Sequence, residues 1–280
     1  MRQPLARGLG RSAFALGFSV LVAGAACAGD LDKFSGKQGK IDIAGGTAHI
    51  PVMKEAAKRI MQANSGIRIS VAAGGSGVGV QKVGEGLVDI GNTGRPLSNE
   101  EIGKYGLKSY AFALDGVAIA LHPKNPVANL TLAQVQGIYS GKISNWKDVG
   151  GRDASIHLYS RVEASGTREV FWEKMLNKGQ IAASANVVAS NGAMKSSLSG
   201  DLDAIGYISI GFLDDAVKAP TLDGVAPTQE SAKSGKYPIV RKLFMNTKGE
   251  PQGLVADFVR YIRGGEGQQI TAGAGYIPVQ

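Results

Sequence analysis

Two segments of the sequence place glycines and hydroxyl residues where a helix is predicted to begin: residues 161–168 (RVEASGTR) and residues 74–79 (GGSGVG). The first segment also carries a guanidinium, because Arg161 stands four residues before Ser165. A helix start presents backbone N–H groups without an intrahelical partner and a partial positive charge. Two such starts facing each other would form a receptor for a small oxyanion, which requires no catalytic group.

The first segment supplies most of the predicted donors. The hydroxyls of Ser165 and Thr167 and the backbone N–H groups of Gly166 and Thr167 are expected to donate to one oxyanion. Arg161 would add a bidentate, charge-assisted pair, and Glu163, two residues on, would hold the guanidinium in place. The alternative interpretation is local: Ser165 would be an ordinary helix N-cap, with the arginine on the surface.

Thr47 follows Gly45-Gly46 at a third predicted helix start and adds another donor cluster. The glycine-rich loop at 74–79, taken alone, is equally consistent with a strand-to-helix connection whose glycines tolerate positive φ. Three similar arrangements in one chain favour the anion receptor over the local interpretation.

Other chemistries lack their sequence signatures. The loop at 74–79 has the spacing G-x-G-x-G, and Val80 occupies the place where a dinucleotide fingerprint needs its last glycine. Ser76 is not in a nucleophile elbow, because Val78 replaces the closing glycine. The histidines are dispersed and lack metal-ligand spacing; they are His49, interpreted as a helix-face residue, His122 and His157. The sequence therefore predicts no metal, no cofactor and no enzymatic activity.

The segments that must position these residues alternate between strand and helix patterns. Short apolar or alternating runs predict strands at 41–44, 67–71, 88–91, 117–121, 156–160, 204–208 and 237–244. Helical spacing is clearest at 53–61, 131–139 and 254–262, with Thr131 as a predicted cap. Such alternation is typical of α/β proteins with parallel sheets.

The chain is predicted to pass from a first lobe to a second and later to return to the first. The sequence HPKNP at 122–126 interrupts the apolar pattern, and the strand at 237–244 is predicted to return to the first unit. Lobe I is therefore predicted to comprise residues 38–121 plus 223–280, and lobe II residues 122–222. The first lobe would be assembled from two separate stretches of chain.

Residues 1–28 are predicted to be a signal peptide. A basic start is followed by an apolar run at 13–26, too short for an ordinary membrane span, and by the A-x-A pattern Ala26-Cys27-Ala28. Cleavage is predicted after Ala28, which makes the protein periplasmic. Acylation of Cys27, as in a lipoprotein, is the alternative.

The mature charge is mildly positive and suits an anionic ligand. Three of the 31 basic residues and none of the 23 acidic residues precede the cleavage site, which leaves 28 − 23 = +5. No run of basic residues occurs, and aromatic residues make up only 6% of the chain, which argues against a nucleic acid partner. The mature chain would contain no cysteine, since Cys27 is the only one, so its core must stabilise it without disulfides.

The chain also contains an ordered series of motifs: AGGT at 44–47, GGSG at 74–77, DIGNTGRPL at 89–97, YSGKISNW at 139–146, RVEASGT at 161–167, AIGY at 204–207 and GYIP at 275–278. In this order they resemble the periplasmic phosphate-binding components of phosphate ABC transporters, the PstS-like family. The resemblance extends from Ile41 to Pro278, which is nearly the whole mature chain.

The resemblance implies a type II periplasmic binding protein, with two α/β lobes, parallel-type sheets flanked by helices, and a cleft between the lobes that closes on inorganic phosphate. It implies three binding loops, formed by Thr47 with the N–H of Ala48, by Ser76 with Gly77, and by Arg161, Ser165, Gly166 and Thr167, with Glu163 bracing the arginine. It also implies a monomer without a cofactor that delivers phosphate to the membrane permease of an ABC transporter.

One position departs from a well-known branch of this family, in which an aspartate in the loop matching 91–97 accepts the proton that phosphate retains. Here Gly94 occupies that place. Arg95, the next residue, is predicted to support the ligand-binding residues without contacting the ligand itself. Asp115 resembles the acid that related members carry before the hinge strand, and it is predicted to be the substitute acceptor. A carboxylate there would accept a hydrogen bond from protonated phosphate and repel sulfate; a turn-forming Asp-Gly is the alternative role.

Other functions stay open on sequence alone. With the same fold, the ligand would be another oxyanion, namely sulfate, molybdate or tungstate, which carry no proton near neutral pH. A different class is a secreted phosphatase-like enzyme. The last alternative is a binding lobe used for sensing or adhesion without transport.

Overall fold

The computed structural model describes residues 29–279. The predicted signal peptide, with Cys27 and the cleavage site after Ala28, lies outside the described residues. Within the described range, no helix combines the length and the apolar character that crossing a bilayer requires.

The strands of the described residues are short except for one near the middle of the chain. They are β1 (Gly39–Gly45), β2 (Ile67–Ala73), β3 (Ile90–Thr93), β4 (Leu107–Leu121), β5 (Asn129–Leu130), β6 (His157–Arg161), β7 (Asn186–Val188), β8 (Ala204–Ser209), β9 (Thr221–Leu222), β10 (Val240–Lys248) and β11 (Ile277–Pro278). Strand β4, with 15 residues, is the long one.

Helices connect most of these strands. They are α1 (Ile50–Ala63), α2 (Ser76–Gly84), α3 (Asn99–Tyr105), α4 (Leu132–Tyr139), α5 (Gly166–Val170), α6 (Asn191–Ser199), α7 (Gln229–Lys233), α8 (Gly253–Arg263) and α9 (Gly265–Gly273). A 3₁₀ turn at Thr47–His49 precedes α1, and a π-helical turn at Phe171–Met175 continues α5.

The main sheet is mixed, in the order β2-β1-β3-β10-β4-β8-β6-β7, with β11 also paired to β4. The pairs toward its two ends are parallel: β1 with β2 and β3, and β6 with β7 and β8. The central strands β10 and β4 run antiparallel to their neighbours. The predicted α/β fold is confirmed, although the sheet is parallel only in its outer parts.

Strand β4 belongs to both halves of this sheet. It pairs with β10 as far as Gly116, and from Val117 onward it pairs with β8. The packing changes at the same point, because Ala113 lies in an apolar core with α1 and α8 whereas Val117 lies in a second core. Ile239 packs in the second core and Leu243 in the first. We therefore propose that the lobes meet near residues 116–117 and 239–243, rather than at the boundaries predicted from sequence.

Local sequence explains why several elements form where they do. Helix α1 turns one apolar face to the first core, as its predicted spacing requires. The hydroxyl of Thr131 accepts a hydrogen bond from Gln134 N, which confirms the predicted cap of α4. The segment of β7 and α6 escaped prediction, because its strand is mostly exposed and its helix has few apolar residues.

Candidate anion-binding site

A small cavity lies between the two halves of the sheet, where several helix starts meet. Its volume is about 10 Å3, measured as the space open to the centre of a water-sized sphere. The lining residues are Gly46, Thr47, Ala48, His49, Gly75, Ser76, Gly94, Arg161, Ser165, Gly166, Thr167 and Arg241. Since one water needs roughly 10–15 Å3 by this measure, the cavity is far too small for a nucleotide.

The starts of α2 and α5 face each other across the cavity, in the arrangement that the sequence predicted. At Gly166, the first residue of α5, an added Cβ would lie 2.2 Å from Ser76 Oγ at the start of α2. The N–H of Gly77 donates to Ala164 O at 3.1 Å, which is a second contact between the same loops. Glycine at position 166 is therefore what allows the two helix starts to come this close.

Four buried hydroxyls line the cavity, and each accepts a hydrogen bond from a protein N–H group. They are Ser76 (from Gly94 N, 3.0 Å), Ser165 (from Arg168 N, 3.2 Å), Thr47 (from Asn191 N, 3.3 Å) and Thr167 (from Arg241 Nη2, 2.9 Å). None of these four hydroxyls donates to another group among the described residues, so each hydroxyl hydrogen is free to donate into the cavity. Ser165 is thus both an N-cap of α5 and a cavity residue.

Arg161 ends β6 and is only 2% exposed. Its guanidinium donates to the carbonyls of Val188 (3.2 Å) and Ala189 (3.1 Å) and to Asn191 Oδ1 (3.3 Å). Burial lowers the pKa of Arg161 to about 10, and the charge of Arg241 acts in the same direction. Among the described residues no carboxylate pairs with Arg161, so its charge is available to an anion in the cavity.

Glu163 and Gly77 do not take their predicted positions. Glu163 is exposed and makes no hydrogen bond with Arg161, so the predicted bracing role is wrong. The carbonyls of Val188 and Ala189, at the end of β7, hold the guanidinium instead, and sequence reasoning missed them because that strand was not predicted. Gly77 does not line the cavity, since its N–H is directed to Ala164 O.

Arg241 is a second cavity cation, and the sequence analysis missed it. It lies on β10, is 6% exposed, and is the cross-strand partner of Asp115 on β4. Its Nε and Nη2 donate to Asp115 Oδ2 at 2.9 and 2.8 Å, and Nη2 also donates to Thr167 Oγ1. An added Cβ at Gly94 would lie 2.7 Å from Nη1, so the loop glycine makes room for this arginine. Arg241 and Lys242 are adjacent in this strand, and strand alternation directs one of the two toward the interior, which was the signal available in the sequence.

Asp115 does not line the cavity, which corrects its predicted role as the ligand's proton acceptor. It is 1% exposed, and while Arg241 occupies Oδ2, Ser209 Oγ donates to Oδ1 at 2.7 Å. Burial raises the pKa of Asp115, and the charge of Arg241 opposes that shift. Its role in this structure is to neutralise Arg241.

Arg95 lies outside the cavity, in contact with carboxylates from two different elements. Its Nη2 donates to Glu101 Oε1 on α3 at 2.6 Å, and its Nε lies 2.8 Å from Glu169 Oε2 on α5. It does not support Arg161 or any other lining residue directly.

His49 is a lining residue that the sequence analysis had placed on a helix face. It is fully buried in the 3₁₀ turn before α1, and its Nε2 lies 3.1 Å from Phe244 O. Burial, reinforced by the nearby charge of Arg241, lowers the pKa of His49 to about 3, so the ring is neutral near pH 7. The charges around the cavity are therefore two guanidiniums and one carboxylate, a net excess that favours an anion.

Comparison with known proteins gives a consistent result. Residues 34–266 match the family model of a PBP superfamily domain. The phosphate-binding protein PstS of Bacillus subtilis strain 168 is 36% identical over 244 residues, which cover 86% of this chain and 81% of that protein. PstS of Borreliella burgdorferi strain B31 is 29% identical over 253 residues, covering 86% of this chain and 90% of that protein.

Solved structures agree with these sequence relatives. A Clostridium perfringens protein, solved with bound phosphate and assigned as the substrate-binding protein of a phosphate ABC transporter, is 35% identical with a TM-score of 0.82. The match covers 86% of this chain and all of that one. An ABC-type phosphate transport receptor from Vibrio cholerae is 31% identical with a TM-score of 0.69, covering 85% of this chain and all of that one.

Proposed function

Since the chain belongs to the PBP superfamily, and within it to the PstS phosphate-binding proteins, we propose that it captures inorganic phosphate between its two lobes and delivers it to an ABC transporter. The observation that carries this proposal is the small cavity in which hydroxyls and two guanidiniums converge from both lobes. Such a cavity binds a small anion tightly because several charge-assisted hydrogen bonds act on one ion.

The contacts of the ligand are proposed residue by residue. Most predicted ligand-binding residues line the cavity: Thr47, Ala48, Ser76, Arg161, Ser165, Gly166 and Thr167. Arg241 joins this set, while Gly77 and Asp115 leave it. Micromolar to nanomolar binding corresponds to about 8–12 kcal/mol, which several charge-assisted hydrogen bonds of roughly 1.5–3 kcal/mol each can supply after ordering costs.

Phosphate is favoured over sulfate, molybdate or tungstate because relatives at 36% and 35% identity are named for phosphate. The carboxylate that was expected to reject fully ionised anions does not face the cavity, so selectivity must arise from another group. Binding without catalysis is favoured over a phosphatase-like activity by the same relatives, which are named as binding proteins or substrate-binding proteins.

We further propose that the protein is exported, that its signal peptide is cleaved after Ala28, and that it acts as a periplasmic monomer. The net positive cavity and the membrane permease of the transporter would then operate in sequence, the first capturing phosphate and the second moving it. Acylation at Cys27 would instead tether the same binding protein to a membrane.

Calorimetric titration of phosphate-stripped protein with phosphate and with sulfate near neutral pH tests this function. Submicromolar phosphate binding with one site, and sulfate binding at least a hundredfold weaker, is the expected result. Preference for sulfate would refute the phosphate assignment while leaving an anion-binding cavity, and binding of neither ion would refute both. Release of phosphate from an aryl phosphate would favour the enzyme alternative.

A further inference from the structure

Most side chains that line the cavity can donate hydrogen bonds to a ligand, whereas one nitrogen of His49 can accept one. The side chains that line the described cavity are guanidiniums, hydroxyls whose oxygens already accept hydrogen bonds, the methyl of Ala48, and the imidazole. Guanidiniums only donate. Among the described residues, His49 is the one lining side chain with a buried polar atom that has no hydrogen-bond partner, and that atom is an acceptor.

The tautomer of His49 follows from its partner. A carbonyl oxygen only accepts, so Nε2, 3.1 Å from Phe244 O, must carry the hydrogen. The ring is neutral, so Nδ1 then holds a lone pair and no proton. Nδ1 is buried and makes no hydrogen bond among the described residues.

Nδ1 lies next to the backbone of Gly46, another residue of the cavity lining. Nε2 is fixed against β10, and Nδ1 lies beside Gly46, where an added Cβ would approach it within 2.6 Å. Both His49 and Gly46 line the cavity. The charged group that acts on the ring is Arg241, which is a donor and disfavours protonation of the imidazole.

We propose that His49 Nδ1 accepts a hydrogen bond from the hydroxyl of protonated phosphate and thereby sets the preference for phosphate over sulfate. This inference rests on the proposed function. The proton stays on phosphate, which remains protonated near neutral pH, as arsenate does. Sulfate has no proton to offer, so its oxygen would face the Nδ1 lone pair and be repelled.

Two substitutions separate this role from a structural one. The amide of His49→Gln places its NH2 near Nε2 and retains the donor to Phe244 O, but it lacks the acceptor at Nδ1. The amide of His49→Asn places an oxygen near Nδ1 and loses the contact with Phe244. We expect phosphate and arsenate affinity to fall about tenfold or more in His49→Gln, and less than threefold in His49→Asn.

The test is calorimetric titration with phosphate, arsenate and sulfate. It compares wild type, both variants and the loop control His122→Gln, and the thermal midpoint of each protein is recorded. Weakened phosphate and arsenate binding in His49→Gln alone, with sulfate binding unchanged or stronger, supports the inference. A loss of phosphate and arsenate affinity in His49→Asn rather than in His49→Gln would overturn it, because affinity would then depend on the hydrogen bond to Phe244 O and not on the acceptor at Nδ1.

A spectroscopic measurement gives an independent readout that a structural role would not move. In ¹⁵N-labelled wild type, Nδ1 should resonate as an unprotonated nitrogen and shift upfield when phosphate binds. An unchanged Nδ1 resonance in protein that binds phosphate would overturn the inference and leave the proposed function intact. Failure of wild type to bind phosphate would instead refute the function itself.

Discussion

Arg95 and Glu169 join the two lobes outside the cavity, with Arg95 Nε 2.8 Å from Glu169 Oε2. Arg95 is anchored in lobe I by Glu101, whereas Glu169 belongs to α5, whose start lines the cavity. The pair therefore spans the gap that must open for a ligand to leave, although neither side chain lines the cavity.

Replacing Arg95 with alanine is expected to speed phosphate release about two- to fivefold, because a partly exposed ion pair contributes roughly 0.5–1 kcal/mol. Stopped-flow displacement of bound phosphate measures this rate. Arg59→Ala is the matched control, since Arg59 pairs with Glu55 and Glu266 within one lobe. Equal release rates for the two variants would show that the Arg95 pair does not hold the lobes together.

Arg161→Met should weaken phosphate binding by about 3 kcal/mol or more, which is over a hundredfold, because it removes a buried charge that no carboxylate offsets. Calorimetry gives the affinity, and circular dichroism checks the fold. Arg152→Met serves as a control, because Arg152 is half-exposed and pairs with Asp203 on the surface. An affinity equal to that of wild type would mean that phosphate binds elsewhere.

Gly166→Ala should reduce phosphate affinity at least tenfold, because the new Cβ would meet Ser76 Oγ and keep the starts of α2 and α5 apart. The fold of each lobe should be retained, since the clash lies between two helix starts and is relieved when they move apart. Gly192→Ala, near the start of α6, is the control, because its Cβ would have no atom closer than Ser190 Oγ at 3.8 Å. Wild-type affinity in Gly166→Ala would contradict the close approach.

Asp115→Ala should lower the free energy of unfolding by about 3–5 kcal/mol, because it leaves the buried charge of Arg241 unpaired. The double variant Asp115→Ala/Arg241→Met should recover part of this loss, and urea denaturation of both measures the difference. Phosphate should still be preferred over sulfate in Asp115→Ala, since the carboxylate does not face the cavity. Loss of that preference alone, with stability unchanged, would restore the role that the sequence predicted.

Stability should depend on pH through His49. Its pKa is about 3 in the folded protein and about 6.5 in an unfolded chain, so only the unfolded chain binds a proton between these values. The free energy of unfolding should therefore fall by about 1.4 kcal/mol per pH unit as the pH is lowered through this window. His49→Gln should lack this part of the pH dependence. Urea denaturation of the two ligand-free proteins at a series of pH values measures it, and an equal change of the unfolding free energy with pH in both would contradict the prediction.

The donor-rich helix starts were predictable from sequence because their signals are local. Glycines, hydroxyls and Arg161 occur within a few residues of one another, and elementary helix chemistry says what such a group can bind. The α/β class followed for the same reason, from the alternation of short apolar runs and helical spacing.

The supporting contacts were not predictable, because they join residues that are distant in the chain. Asp115 and Arg241 are 126 residues apart, and only the register of β4 and β10 makes them partners. The long strand β4 likewise appeared as an apolar run of five residues, since its first part alternates too weakly to be recognised. His49 was set aside as a dispersed histidine because burial, which decides its chemistry, is a property of the folded chain.

The four cavity hydroxyls have a kinetic consequence that reaches beyond affinity. In water, an ion is solvated only after surrounding dipoles turn toward it, and that reorganisation opposes each transfer between environments. Here the dipoles are fixed during folding, since each oxygen is already held by a protein N–H group. An arriving anion exchanges a fluctuating shell of water for one that is polarised in advance. We therefore expect its capture to be limited by diffusion and lobe motion rather than by local rearrangement.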